Sequence, residues 1–183
     1  MPTSLTDTVD VLRRTPAVVS ALLGGVPNAW THVPDVADGW LPRDVVGHLI
    51  SAELDDWIPR VERILQEGTS KPFDPFDRFA HVERDVDEPL DPLVERFVGL
   101  RVQALARLGE LVTDEIDLDR RGLHPALGEV TLRELLAAWA VHDLDHVSQI
   151  FVGMAATQDA AVGPFRNYLG ILLRRDDPAA IPG

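Results

Sequence analysis

The chain contains 183 residues, of which 17 are basic and 30 acidic, and its formal net charge is −13. This length suits a single domain, residues 1–183, with a core large enough to fold without disulfides. Hydrophobic residues make up 45% and charged residues 26%, which excludes a disordered chain. The excess of negative charge argues against partners that present phosphates, whether nucleic acid or an anionic membrane surface.

The sequence contains no cysteine, so histidine, aspartate and glutamate are the only strong metal ligands that it offers. Its first residues lack the basic segment and apolar run of a secretory signal. No stretch approaches the roughly 18 uninterrupted apolar residues of a membrane span. We therefore expect a cytoplasmic protein.

Prolines and glycines divide the first half of the chain into helical lengths. Apolar spacing predicts a first helix over residues 5–23, with a kink or a fresh start at Pro16. Residues 26–41 are expected to form an irregular loop held by Trp30 and Trp40. A second helix is predicted over residues 42–67, with a bend or break at Pro59.

In the second half, residues 68–89 are polar, and their length predicts a crossover rather than a tight hairpin. A third helix is predicted over residues 91–112, followed by a turn-rich stretch at 113–130. Thr131 and Glu134 form a capping box that opens a fourth helix ending near residue 152. A short fifth helix is predicted over residues 164–174. The pattern predicts an all-α fold, a four-helix bundle with a short accessory C-terminal helix.

His142 and His146 lie four residues apart on the fourth predicted helix. Their side chains project about 40° apart on successive turns, so both imidazoles can reach one ion. His146 falls on the apolar stripe of the helix and His142 on its edge, and a polar ring inside a core needs a hydrogen bond or a metal. Two interpretations stay open from the residues alone: a metal-binding pair, or two core histidines bonded to carboxylates or water.

A third ligand must come from another segment, and His48 in the second helix is the best candidate. Its helical phase points to one side of the main apolar stripe, so a half-exposed histidine is the alternative. The first half of this helix is apolar nearly all round, which would let it face the bundle on one side and a partner subunit on another.

Two carboxylates lie near this proposed site. Asp143 is placed either to orient a ligand imidazole or to accept a hydrogen bond from another helix, and Glu53 lies about one turn beyond His48. The other histidines fall in predicted loops, where structural or solvated roles are expected; they are His32, His81 and His124.

Residues 39–53, GWLPRDVVGHLISAE, resemble the second-helix motif of the DinB-like superfamily of metal-dependent enzymes, and residues 128–150 resemble its fourth-helix motif. The resemblance implies a bundle with an up-down-down-up path and a long crossover between helices two and three. It also implies that His48, His142 and His146 hold a divalent ion, zinc or nickel, with water in the fourth position, and that the protein forms a homodimer. One departure is Leu41, where relatives carry a small hydroxyl residue that caps the helix.

The resemblance further implies an enzyme acting on a small molecule, because characterised relatives include transferases and isomerases that use low-molecular-weight thiols as cosubstrates. We therefore expect a metal-dependent thiol S-transferase, and no catalytic residue is assigned beyond the metal-bound water. A hydrolase using metal-bound hydroxide is the first alternative. A non-catalytic metal-binding dimer and a plain bundle with coincidental histidines are the others.

Overall fold

The computed structural model describes residues 4–113 and 116–173. Its helices are α1 (Leu5–Leu23), α2 (Pro42–Asp55), α3 (Trp57–Glu67), α4 (Ala80–Arg84), α5 (Leu90–Leu111), α6 (Leu132–Ala156) and α7 (Gly170–Leu173). Two strands, β1 (Arg121–His124) and β2 (Gly128–Thr131), form an antiparallel hairpin. Single 3₁₀ segments cover Asn28–Trp30 and Gly163–Tyr168. The four-helix bundle is confirmed, with α1, α2–α3, α5 and α6 as its four rods.

Helices α1 and α5 run in opposite directions. The amide of Gly25, just after α1, donates to Asp91 in the first turn of α5 at 3.0 Å. Further along, the Leu12 carbonyl in α1 accepts a hydrogen bond from Arg101 in α5 at 3.0 Å. Later residues of α1 thus contact earlier residues of α5, so the two helices are antiparallel.

The second rod, by contrast, runs parallel to α5. Glu53 in α2 pairs with Arg101 at 2.7 Å, and Glu62 in α3 pairs with Arg107 at 2.6 Å. Residue numbers increase in the same direction on both helices, so the two are parallel. The chain must therefore run back along the bundle between the end of α3 and the start of α5. Residues 68–89 make this return as the predicted crossover, and they include the short helix α4.

Helix α6 runs antiparallel to the second rod. His48 in α2 contacts His142, whereas the later Trp57 stacks on the earlier Trp139, with ring centroids 5.5 Å apart. Together with the other two pairings, this direction confirms the up-down-down-up path. No helix within the described ranges is long and apolar enough to cross a membrane.

Helix starts follow the local sequence. Ser4 with Asp7 and Thr131 with Glu134 each form a reciprocal capping box, the second of them as predicted. Leu41 provides only half of such a box. Its side chain cannot accept a hydrogen bond, but its backbone amide donates to the Asp44 carboxylate at 3.0 Å.

The break predicted in the second rod is present. It falls at Asp56, because Pro59 in the first turn of α3 lacks the amide that would bridge it. Three other predictions differ from the structure, the first of them at Pro16, through which helix α1 continues. The stretch predicted as turns contains the β1–β2 hairpin. The predicted fifth helix is a 3₁₀ segment followed by α7, and its last residue, Arg174, lies outside the described residues.

Candidate metal centre

Three imidazoles from two rods meet between α2 and α6. The Nε2 atom of His142 lies 3.1 Å from Nε2 of His48 and 3.0 Å from Nε2 of His146. Among the described residues, these three form the only group of histidine and acidic side chains close enough to share a metal ion. The structure therefore brings together the three residues that were named as candidate ligands.

The helical phase of His48 was misleading because α2 and α3 are separate helices. The apolar stripe of α3 does not continue the phase of α2, and ten of the fourteen residues of α2 are buried. The far side of α2 is covered by α4 of the same chain. The His81 side chain of α4 packs so closely on Gly47 that a Cβ atom added to this glycine would lie only 2.9 Å from the Cβ of His81. A partner subunit is not needed to bury it.

Hydrogen bonds at the opposite ring nitrogens orient two of the imidazoles. Nδ1 of His48 lies 3.2 Å from the backbone carbonyl of Arg78, and Nδ1 of His146 lies 2.7 Å from Oε1 of Gln149. Because both partners are oxygen acceptors, each Nδ1 carries the proton and donates. Each Nε2 is thereby left with a free lone pair that points at the other rings.

This arrangement fits a metal ion better than a set of hydrogen bonds. If both outer Nε2 atoms present lone pairs, a single Nε2–H on His142 can satisfy only one of them. Four ligands at zinc–nitrogen distances near 2.05 Å have neighbouring nitrogens roughly 3.3 Å apart, close to the observed separations. One cation among the three atoms would satisfy all of the lone pairs.

The environment keeps the three rings neutral at pH 7. Burial lowers the pKa of His142 to about 2, and the positive charge that neighbouring His146 would carry adds to the effect. Burial similarly lowers the pKa of His48 to about 3, and it also lowers the pKa of His146. Neutral imidazole is the form that binds metals, so the ligands need not lose protons to do so.

Two tryptophans enclose the centre. The Trp40 ring lies 4.7 Å from the His48 ring, and the Trp57 ring lies 5.0 Å from the His142 ring. The sequence singled out Trp40 only as an anchor of its loop. In the structure this anchoring places an apolar wall beside the imidazoles.

All three histidines line one cavity of about 860 Å³. Its remaining walls come from the start of α3, the crossover and the tip of the hairpin, and they include Trp57, Phe76, Arg78 and His124. At another point of the wall Asp56 pairs with Arg60 at 2.6 Å. Burial raises the pKa of Asp56 to about 6, against the opposing effect of Arg60.

Glu53 and Asp143 do not contact the imidazoles. Both bind the buried guanidinium of Arg101, which takes Glu53 at 2.7 Å and both oxygens of Asp143 at 2.5 and 2.8 Å. Two roles were considered for Asp143, and the structure shows the second: its carboxylate accepts hydrogen bonds from Arg101 of helix α5. The orienting role expected of carboxylates is taken by the Arg78 carbonyl and by Gln149.

The other three histidines differ from one another. His32 is exposed, as expected for a loop residue. His81 is fully buried in α4, where burial lowers its pKa. His124 ends β1 and lines the cavity.

Sequence reasoning included Gln149 in the fourth-helix motif without giving it a role, and it did not name Arg78. Gln149 lies three residues after His146, and this spacing on one helix was a signal for their contact. No comparable signal existed for Arg78, since its position depends on the path of an irregular crossover.

A family model described as the DinB superfamily matches residues 12–150. Among solved structures, the chain is similar to YfiT from Bacillus subtilis, described as "a probable metal-dependent hydrolase with an unusual four-helix bundle topology". The two are 22% identical, with a TM-score of 0.70, over 87% of this chain and 90% of that chain. A comparison with curated proteins finds no match.

Proposed function

This chain belongs to the DinB superfamily, and we propose that it is a divalent-metal-dependent enzyme that acts on a small molecule. The observation that carries the proposal is the convergence of three neutral imidazoles at the wall of one cavity. Cavities of about 300–1,000 Å³ are typical of sites for small ligands, and this one holds about 860 Å³.

His48, His142 and His146 would hold the ion, and zinc or nickel suits a site of three imidazoles. The ion would supply a Lewis acid that lowers the pKa of a bound water or thiol. The Arg78 carbonyl and Gln149 fix two of the rings, while Trp40 and Trp57 limit the access of water beside them. We assign no further residue to the chemical step.

For the reaction itself we favour transfer of a low-molecular-weight thiol to an electrophile. The chain has no cysteine, so sulfur chemistry would require a thiol from outside. A cavity at the upper end of the usual size range has room for a thiol beside a second ligand. Hydrolysis is the second candidate, favoured by the likeness to YfiT, which is described as a probable metal-dependent hydrolase. The homodimer and the cytoplasmic location stay predictions.

The proposal is tested by replacing one ligand. We expect wild-type protein to bind about one zinc ion per chain and His48→Ala to bind it at least a hundredfold more weakly, because two imidazoles alone hold zinc poorly. Zinc content is measured by mass spectrometry after dialysis, and His32→Ala, an exposed histidine, is the matched control.

The reaction is then tested on zinc-loaded and nickel-loaded protein with an aryl chloride and a panel of small thiols. Thiol adduct formation that His48→Ala abolishes supports the transferase. Cleavage of activated esters without any thiol adduct supports the hydrolase instead. Bound metal with neither activity favours the non-catalytic alternative, and less than a tenth of an ion per wild-type chain contradicts the metal site.

A further inference from the structure

The polar side chains on the wall of the metal cavity include more hydrogen-bond donors than carboxylate acceptors. The carboxylates that line it, within the described part of the chain, are Asp56 and Asp145. Asp56 is already paired with Arg60 at 2.6 Å, whereas the side chains of Asp145 and Arg78 are both exposed. Among the described residues, Asp145 is thus the one carboxylate of this wall without such a partner, and the hydrogen-bond donors of Arg78, His124 and Gln149 outnumber it.

The strongest of these donors is the guanidinium of Arg78. It lies over the ring of Trp40 at 5.2 Å and over the ring of Phe79 at 5.3 Å. Across residues 4–113 and 116–173 it forms no ion pair with a carboxylate, in contrast to Arg60 on the same wall. Two aromatic contacts thus restrict a cation that has no anionic partner of its own.

His124 adds a second donor with a fixed orientation. Its Nδ1 accepts the backbone amides of Ala126 and Leu127 at 3.1 and 3.2 Å. The proton of the neutral ring must then lie on Nε2, and the side chain lines the cavity. Gln149 behaves similarly, because its oxygen is used by His146 and its amide group remains available as a donor.

We propose that this cavity binds a small molecule carrying an oxyanion, a carboxylate or a phosphate, and that Arg78 is the specificity-determining residue that binds it. The inference rests on the proposed function for the place of the ligand, since the same cavity holds the metal ligands. A guanidinium offers paired donors that match the two oxygens of such a group. A chain with a net charge of −13 repels anions at long range, so a local cation is needed to hold one.

The test compares zinc-loaded wild type with Arg78→Met, using benzoate and phenyl phosphate as anionic probes and benzyl alcohol as the neutral probe. Dissociation constants are measured by isothermal titration calorimetry. We expect Arg78→Met to weaken binding of the preferred anion about tenfold or more and to leave benzyl alcohol unchanged. Whichever anion binds wild type more tightly identifies the carboxylate or the phosphate. The backbone carbonyl that orients His48 is retained in this variant.

Arg14→Met is the matched control, because Arg14 is an exposed arginine of α1 that does not line the cavity. The inference is overturned if Arg78→Met and Arg14→Met bind the anions equally well. It is also overturned if wild type binds neither anion at roughly 10-millimolar concentration, which corresponds to very weak binding. Zinc content of each variant is measured separately. If wild type holds no zinc, the proposed enzyme fails, while the same titrations on that protein still decide the role of Arg78.

Discussion

Gln149 illustrates how a single residue beyond the ligands shapes the site. Its side-chain oxygen accepts the Nδ1 proton of His146 at 2.7 Å, which leaves Nε2 as the atom facing the other imidazoles. The spacing of four residues showed that His142 and His146 could share an ion, without deciding that they do, and Gln149 lies on the same helix face because it follows three residues later. Arg78 was not predictable, since helical periodicity does not extend to the crossover that carries it.

We expect Gln149→Leu to weaken zinc binding about 10- to 100-fold, because the His146 ring loses the acceptor that fixes its tautomer and orientation. Zinc affinity is measured by competition with a chromophoric chelator. Gln103→Leu, at an exposed position of α5, should keep wild-type affinity. Equal affinities for wild type and Gln149→Leu would show that the hydrogen bond does not orient the ligand.

At the scale of elements, one arginine connects all four rods. Arg101 belongs to α5, and its guanidinium binds the Leu12 carbonyl of α1, Glu53 of α2 and Asp143 of α6. Burial raises the pKa of Glu53, while the charge of Arg101 opposes that shift. Such a cluster fixes how the helices align lengthwise, which is what brings His48 level with His142.

We expect Arg101→Met to lower the free energy of unfolding by about 3–5 kcal/mol, because two buried carboxylates lose their counter-charge. Urea unfolding of the zinc-loaded protein measures it. Arg107→Met, which removes half-exposed ion pairs, should cost much less, because such pairs are screened by solvent. Restoring neutrality with Glu53→Gln and Asp143→Asn should recover part of the loss. An Arg101→Met protein as stable as wild type would contradict the role of the cluster.

The bounds of the helices were largely predictable from the sequence, and the reason is local. Helix α1 begins after the Ser4 cap and ends before Gly24, as its apolar spacing and its terminal residues indicate. The β1–β2 hairpin was not predictable, because its four-residue strands are too short to show alternation. It is fixed by contacts with the crossover, such as the hydrogen bond from the Phe73 amide to the Leu123 carbonyl at 2.8 Å.

For the molecule as a whole, folding places three neutral imidazoles in one interior region. In the unfolded chain each has an ordinary pKa near 6.5, whereas in the folded protein His142 has a pKa of about 2. Below pH 6.5 the unfolded chain therefore binds a proton that the folded protein does not, and folding stability falls as the pH falls.

We expect metal-free wild type to lose about 1 kcal/mol more stability than His142→Gln when the pH falls from about 7.5 to about 5.5, since the variant lacks the titrating ring. Urea unfolding in the presence of a chelator at the two pH values measures the difference. Contributions from the carboxylates cancel because both proteins share them. Identical losses in both proteins would contradict the pKa of His142.

The parallel course of α2–α3 and α5 has a consequence for how this scaffold can diversify. Because two consecutive rods run in the same direction, the crossover of some twenty residues must run back along the bundle. On the way it contributes Phe76 and Arg78 to the cavity that contains the imidazoles. The crossover is held to the bundle by the buried side chains of Phe73 and His81, and its Arg78 carbonyl orients His48. Its exposed side chains, such as that of Arg78, can therefore change at little cost to the interior, whereas its backbone path has to be kept.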